Sequence, residues 1–323
     1  MKKILLNIKK YLYVYVAIDF ILALIIGMNF DMQSINIRPI SLFAVFMMLY
    51  PMLTGMVVEK VKKAGRNYKL IFLTLFFAFI VASGVAFMLS RTVFANNPEL
   101  ALGIILVGAI PCSSMLIGWS GIADASVEDA LVIAVIGLLL IPVLSPLIVS
   151  LSGGPIIPID TGSMIFRLFV YILVPLVLGY FTRKQIISKK GMPYFMDIKK
   201  YFPGVSASGI LIIIFFSVAK VAPQLIENPI VFLQVAGGLF IYYLVQTVLS
   251  IGAAKLFHLN YAQGMILILG STASSQAISL ALAATMFGNM TVFALSFKPI
   301  LQVLYIMFLI YALGPKIKVF LEK

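Results

Sequence analysis

The chain predicts an all-α integral membrane fold of ten transmembrane helices, with the fourth and ninth discontinuous. Three observations predict it. Hydrophobic residues make up 62% of the chain, charged residues only 11%, and the mean hydropathy is +1.12. A soluble protein of this size could not cover that much apolar surface. Apolar runs long enough to span, at roughly 20 residues each, recur along the whole length. Two of these runs are broken by small and polar residues half a chain length apart, at Pro111-Cys112-Ser113-Ser114 and at Ser271-Thr272-Ala273-Ser274-Ser275-Gln276. Interrupted spans at corresponding places in two halves imply a secondary transporter with internal repeats, and they point to its substrate site.

The ten runs are about 11–28, 38–58, 69–90, 101–122, 130–151, 163–182, 202–222, 229–256, 263–287 and 291–313. They read as one transmembrane transporter domain over 1–323, with a first repeat at about 11–151 and a second at about 163–313. The first run follows a basic start but precedes no small-residue cleavage site, so it reads as a retained span. It carries Asp19, the clearest acidic residue inside a span, which needs a partner or neutralisation there. The longest loop expected is 183–201, too short for a soluble domain.

The basic residues fall in alternate loops. Lys2, Lys3, Lys9 and Lys10 precede the first run, and Lys60, Lys62, Lys63, Arg66 and Lys69 separate the second from the third. Arg183, Lys184, Lys189, Lys190, Lys199 and Lys200 follow the sixth, and Lys255, Lys316, Lys318 and Lys323 complete that side. The opposite side has Arg38 and Arg91, with Arg167 and Lys220 near helix ends. The bias places both termini in the cytoplasm and the chain in the plasma (inner) membrane. It also accounts for the net charge of +13 without a nucleic-acid partner, since the charge forms no single patch. An amphipathic surface binder would spread charge along helix faces, which this chain does not do. The lone cysteine excludes an intramolecular disulfide, and no Walker-type phosphate loop supplies direct ATP coupling. No cofactor and no metal site are expected; the coupling candidates are H+ and Na+.

The breaks carry the chemistry. Pro111 lacks a backbone N–H and disfavours helix at Ile110. A half-helix starting near Cys112 would present unpaired N–H groups and a positive dipole end, which Ser113 and Ser114 could cap. Ser271, Thr272, Ser274 and Ser275 repeat the scheme. Ser and Thr at such places also serve close helix packing. Cys112 reads as a soft ligand and nucleophile at a helix start, or as a small buried hydrophobe. Cys112, Met115 and Trp119 have the i, i+3, i+7 spacing of one helical stripe, a pattern shared by packing faces and substrate contacts. Lys298 lies inside the last run, where a charge costs about 2.5–3.5 kcal/mol on insertion scales and marks a functional candidate. The single His258 stands at a helix–loop boundary, and no Ser/Lys or paired Asp arrangement indicates an intramembrane enzyme.

These residues resemble the arsenite-efflux branch of the bile acid/arsenite/riboflavin transporter superfamily. The resemblance rests on Met47-Met48-Leu49-Tyr50-Pro51-Met52-Leu53, on the segment from Ala109 to Trp119, and on Pro175 to Arg183. It extends to Tyr261-Ala262-Gln263, Ala283 to Gly288, and Pro299-Ile300-Leu301-Gln302-Val303. It implies two inverted five-helix repeats, with helices 4 and 9 discontinuous and crossing. A panel of helices 1, 2, 6 and 7 would move against a core of helices 3–5 and 8–10. Cys112 matches the family cysteine that contacts trivalent arsenic. The chain also departs from the family. Ser274-Ser275-Gln276-Ala277 stand where relatives have an Asn pair, an aromatic and a Glu. Gln302 replaces a Glu, Ser120 replaces an Asn, and Lys298 replaces a small residue.

The expected function is alternating-access export of a small metalloid such as arsenite, driven by an ion gradient. The alternative is coupled transport of an organic anion, with Lys298 replacing a coupling-ion charge. Site candidates are Cys112, Ser113, Ser114, Met115, Trp119, Ser274, Ser275 and Gln276 for substrate, and Lys298, Thr272, Asp19 and Gln302 for coupling or charge. The expected partners are the lipid bilayer and a small-molecule or metalloid substrate.

Overall fold

A computed structural model describes residues 5–7, 11–32, 34–55, 67–112, 114–154 and 156–322. The described residues are helical almost throughout, and seven of their helices are long and apolar enough to cross a membrane. Shorter apolar helices, including Pro98–Ala109 and Gln276–Met286, complete the set. The chain forms two compact units: 1–56 with 162–232 and 276–300, and 57–161 with 233–275 and 301–323.

In the first unit, the helices Leu12–Asn29 and Arg38–Thr54 lie against Phe202–Glu227. Hydrocarbon gives no hydrophobic drive between helices, so small residues must let backbones approach. They do so here. A Cβ on Gly27 would stand 2.1 Å from the Ala219 carbonyl oxygen, and one on Gly209 would stand 2.6 Å from that of Ala44. Tyr50 and Thr182 join their hydroxyls at 2.7 Å. Phe20, Phe232, Phe293 and Phe297 form an edge-packed aromatic cluster with ring centroids 5.2–6.1 Å apart. The outer face of Leu12–Asn29 leaves Ile18, Ile21, Leu22 and Ile25 exposed, as a lipid-facing helix requires.

The expected loop at 183–201 is helical instead. The sixth run continues as Thr161–Lys199 and turns at Gly191, whose φ of 82° and ψ of 165° suit only a residue without Cβ. Hydropathy marked where the apolar run ends; the helix carries on past it because nothing before Gly191 stops it. The basic cluster at 60–66 lies outside the described residues.

The second unit contains Tyr68–Thr92, Pro98–Ala109, Ser114–Ile122, Val127–Gly153, most of Ile230–Leu256, Tyr261–Thr272 and the end of the chain. Its helix starts are capped by Asn67, Asn97, Ser126 and Asn260, each accepting an N–H three residues ahead at 3.0–3.2 Å. Lys69 caps the far end of Ile230–Leu256 by donating to the Phe257 carbonyl at 2.8 Å. Gly108 lies against Ala82, where a Cβ would stand 2.5 Å from a carbonyl oxygen. Tyr68–Thr92 contains a π turn at Phe77–Val81.

Candidate functional site

Both sequence breaks are real; the first is shifted by one residue and the second is narrower than the sequence suggested. The first helix ends at Ala109, Ile110 is extended (φ −119°, ψ 99°), and helix resumes at Ser114. Cys112 therefore precedes the second half-helix, which carries only Met115 and Trp119 of the expected stripe. Ser113 lies outside the described residues, and so does the Ser114 side chain; their capping role stays an expectation. The second break is only Ala273–Ser275. Ser271 and Thr272 still belong to Tyr261–Thr272, and Gln276 opens Gln276–Met286.

The two breaks meet. Pro111 and Ser274 form an antiparallel bridge, and the Ser275 N–H donates to the Pro111 carbonyl at 3.2 Å. An unpaired backbone group in hydrocarbon costs several kcal/mol, so a broken helix must find partners in protein. At the first break, Ser83 donates to the Gly108 carbonyl at 3.2 Å and Ser145 to that of Ala109 at 2.6 Å. At the second break, Gln302 receives the Ser274 N–H on Oε1 at 3.2 Å and donates Nε2 to the Ser274 carbonyl at 3.3 Å.

Behind the second break runs a polar strip on Ile230–Leu256. Ser250 and Ser271 pair their hydroxyls at 2.7 Å, and Thr247 and Thr272 theirs at 3.4 Å. Tyr305 donates to Thr247 at 2.9 Å. Gln246 donates to the Phe77 carbonyl at 3.3 Å, where the π turn begins. Sequence reading missed Gln246, Thr247, Ser250, Tyr305, Ser83 and Ser145. The signal was there: polar residues at i, i+1 and i+4 in an apolar run, hidden when the run was judged by its mean hydropathy.

Cys112 is buried beside the bridge. Ser274 Oγ and Trp119 Nε1 are buried with no hydrogen-bond partner. Ser275 is buried, and Met115 is half-buried. Thr272 uses its hydroxyl within the strip, and Ser120 returns its own to the Leu116 carbonyl at 2.8 Å. Gln276, Lys298 and Asp19 belong to the first unit. Gln276 Nε2 and Asp19 Oδ2 are buried without a hydrogen bond. Lys298 is 0% exposed and donates to Ser279 Oγ at 2.9 Å, so it faces protein, not lipid.

The family model described as Sodium Bile acid symporter family matches residues 42–228. The chain belongs to that family. An Arsenical-resistance protein Acr3 of Alkaliphilus metalliredigens is 27% identical over 87% of this chain and 84% of its own length. Another Acr3, from Corynebacterium glutamicum, is 24% identical over 86% of this chain and 80% of its own. An uncharacterized sodium-dependent transporter of Bacillus subtilis, YocS, is 30% identical over 33% of each chain. This member of the sodium bile acid symporter family is thus a multi-pass membrane transporter and not an enzyme, and it is similar to two arsenical-resistance proteins.

Proposed function

We propose that this transporter exports a small trivalent metalloid species such as arsenite by alternating access, driven by an ion gradient. The observation that carries the reading is the position of Cys112. It is the only thiol in the chain, and it sits in the extended break, next to the Pro111–Ser274 bridge. Soft sulfur ligands select soft centres, and trivalent arsenic is one. The step balances simply: the thiol condenses with one arsenic hydroxyl, an S–As bond replaces an O–As bond, and water leaves with the thiol proton. A single thiol suits a carrier, since binding must be weak enough to reverse; three thiols would make a trap. Ser274 Oγ and Trp119 Nε1 have hydrogen-bonding capacity left for the remaining hydroxyls. The two curated relatives named for arsenical resistance support the same choice.

The architecture that goes with this reading has ten helices in two inverted five-helix repeats, at about 11–151 and 163–313. The chain would lie in the inner membrane with both termini cytoplasmic. Uptake of radiolabelled arsenite into everted vesicles, with imposed proton or sodium gradients, tests it. We expect gradient-dependent accumulation that Cys112→Ser lowers by about tenfold or more, at least the loss seen when a residue that only supports a ligand is removed. Equal accumulation by folded wild type and Cys112→Ser would remove the thiol from the site.

One observation favours a second reading, transport of an organic anion. Lys298 is a buried cation that faces protein and donates to Ser279 Oγ at 2.9 Å. A carboxylate or sulfonate substrate could draw on that charge. Arsenite uptake no greater than in empty vesicles, together with Lys298-dependent uptake of an organic anion, would select it.

A further inference from the structure

We infer that Gln302 is the positioning residue that holds the ninth helix open, acting as a side-chain peptide that pairs with the unwound backbone of Ser274 beside Cys112. At Ala273 the backbone turns extended (φ −78°, ψ 151°), so Ser274 can neither donate nor accept within its own helix. Its N–H and its carbonyl both meet the Gln302 amide, at 3.2 and 3.3 Å. Gln302 is fully buried, so water cannot substitute. The next N–H, on Ser275, goes to Pro111. One amide and one carbonyl thus pair three of the break's backbone groups, and they tie it to the chain that carries Cys112.

The pairing needs one donor and one acceptor from the same side chain. Among side chains of this reach, a neutral amide supplies both, and so does a protonated carboxyl; a carboxylate supplies two acceptors and would oppose the Ser274 carbonyl. A leucine supplies neither. The brace therefore has a chemical signature beyond mere bulk. Gln302→Glu should reproduce it when protonated and lose it when ionised. The brace is present at low pH, where the acid is neutral, and is lost as rising pH ionises it. The groups that would tune the midpoint are Lys298 four residues before and Tyr305 three residues after on the same helix. Tyr243, stacked on Tyr305, and Cys112 across the bridge complete the set.

This inference is independent of the substrate, because Cys112 is the only cysteine and a maleimide reports on it alone. The experiment measures the rate of N-ethylmaleimide labelling in membranes from pH 5 to 8.5, each variant normalised to wild type at the same pH to remove thiol titration. We expect Gln302→Leu to label about tenfold faster throughout, and Gln302→Glu to match wild type at pH 5 and approach the Leu variant at pH 8.5. Should Gln302→Leu fail to fold, the reversible pH course of Gln302→Glu carries the test alone. A Glu variant that tracks wild type at every pH, or that fails to fold even at pH 5, would overturn the assignment. So would a folded Leu variant labelled at the wild-type rate.

Discussion

The two broken helices reach the same geometry by opposite means. The first break is written into the chain itself. Pro111 has no N–H to satisfy and pushes Ile110 out of helix, and two serine hydroxyls answer the carbonyls of Gly108 and Ala109 that the break frees. The second break has no proline. Ser271, Ala273 and Ser275 would all continue a helix at modest cost, and the helix stops because Gln302 and Pro111 accept its N–H groups elsewhere. A break of the first kind needs repair of its acceptors. A break of the second kind must be actively held, which makes it the one a single distant side chain can close or open.

That contrast can be broken at four places. The largest effect is expected from Gly108→Val, since its Cβ would stand 2.5 Å from the Ala82 carbonyl oxygen. Overpacking of backbone against backbone there should cost about 3 kcal/mol, read as the lowest melting temperature of the series in detergent. Ser145→Ala comes next. It leaves the Ala109 carbonyl without its 2.6 Å donor in a dry interior, at about 1–3 kcal/mol in the same measurement. Ser250→Ala removes the 2.7 Å partner of Ser271 behind the second break and should cost about 1 kcal/mol, because Ser271 keeps its bond to the Leu267 carbonyl. Pro111→Ala is expected to be the mildest, within about 1 kcal/mol, since the Ser274 bridge and the two serine donors remain. A large loss from Pro111→Ala would show that the first break depends on its proline alone. A large loss from Ser250→Ala would show that the strip, and not Gln302, holds the second.

Much of this was legible in the sequence. Composition and run length announce membrane helices because hydrocarbon tolerates so few alternatives. Pro111 announces its break because proline acts on its own backbone and on the residue before it. The serine cluster at 271–275 announced the second break through polarity in an apolar run, but placed its edges too wide. Where each helix truly stops depends on which N–H finds an outside acceptor. Cys112, Ser274 and Ser275 were picked out and do gather at the bridge. Thr272 was picked out for coupling, yet its hydroxyl is spent on Thr247. Gln302 was picked out as a missing charge, and the structure shows what the uncharged amide does instead.

By itself, the sequence determined the solvent, the helical class, the family and the location of both interruptions, since each follows from local chemistry or from a short run of residues. Only the tertiary structure decided that Pro111 meets Ser274, that Gln302 reaches back 28 residues to hold it, and that Lys298 points into protein beside Ser279. The reason is the cost of an unpaired polar group away from water. That cost compels every broken backbone group and buried charge to find a partner, but the partner is chosen by which helices pack together, and no local pattern in the chain specifies that.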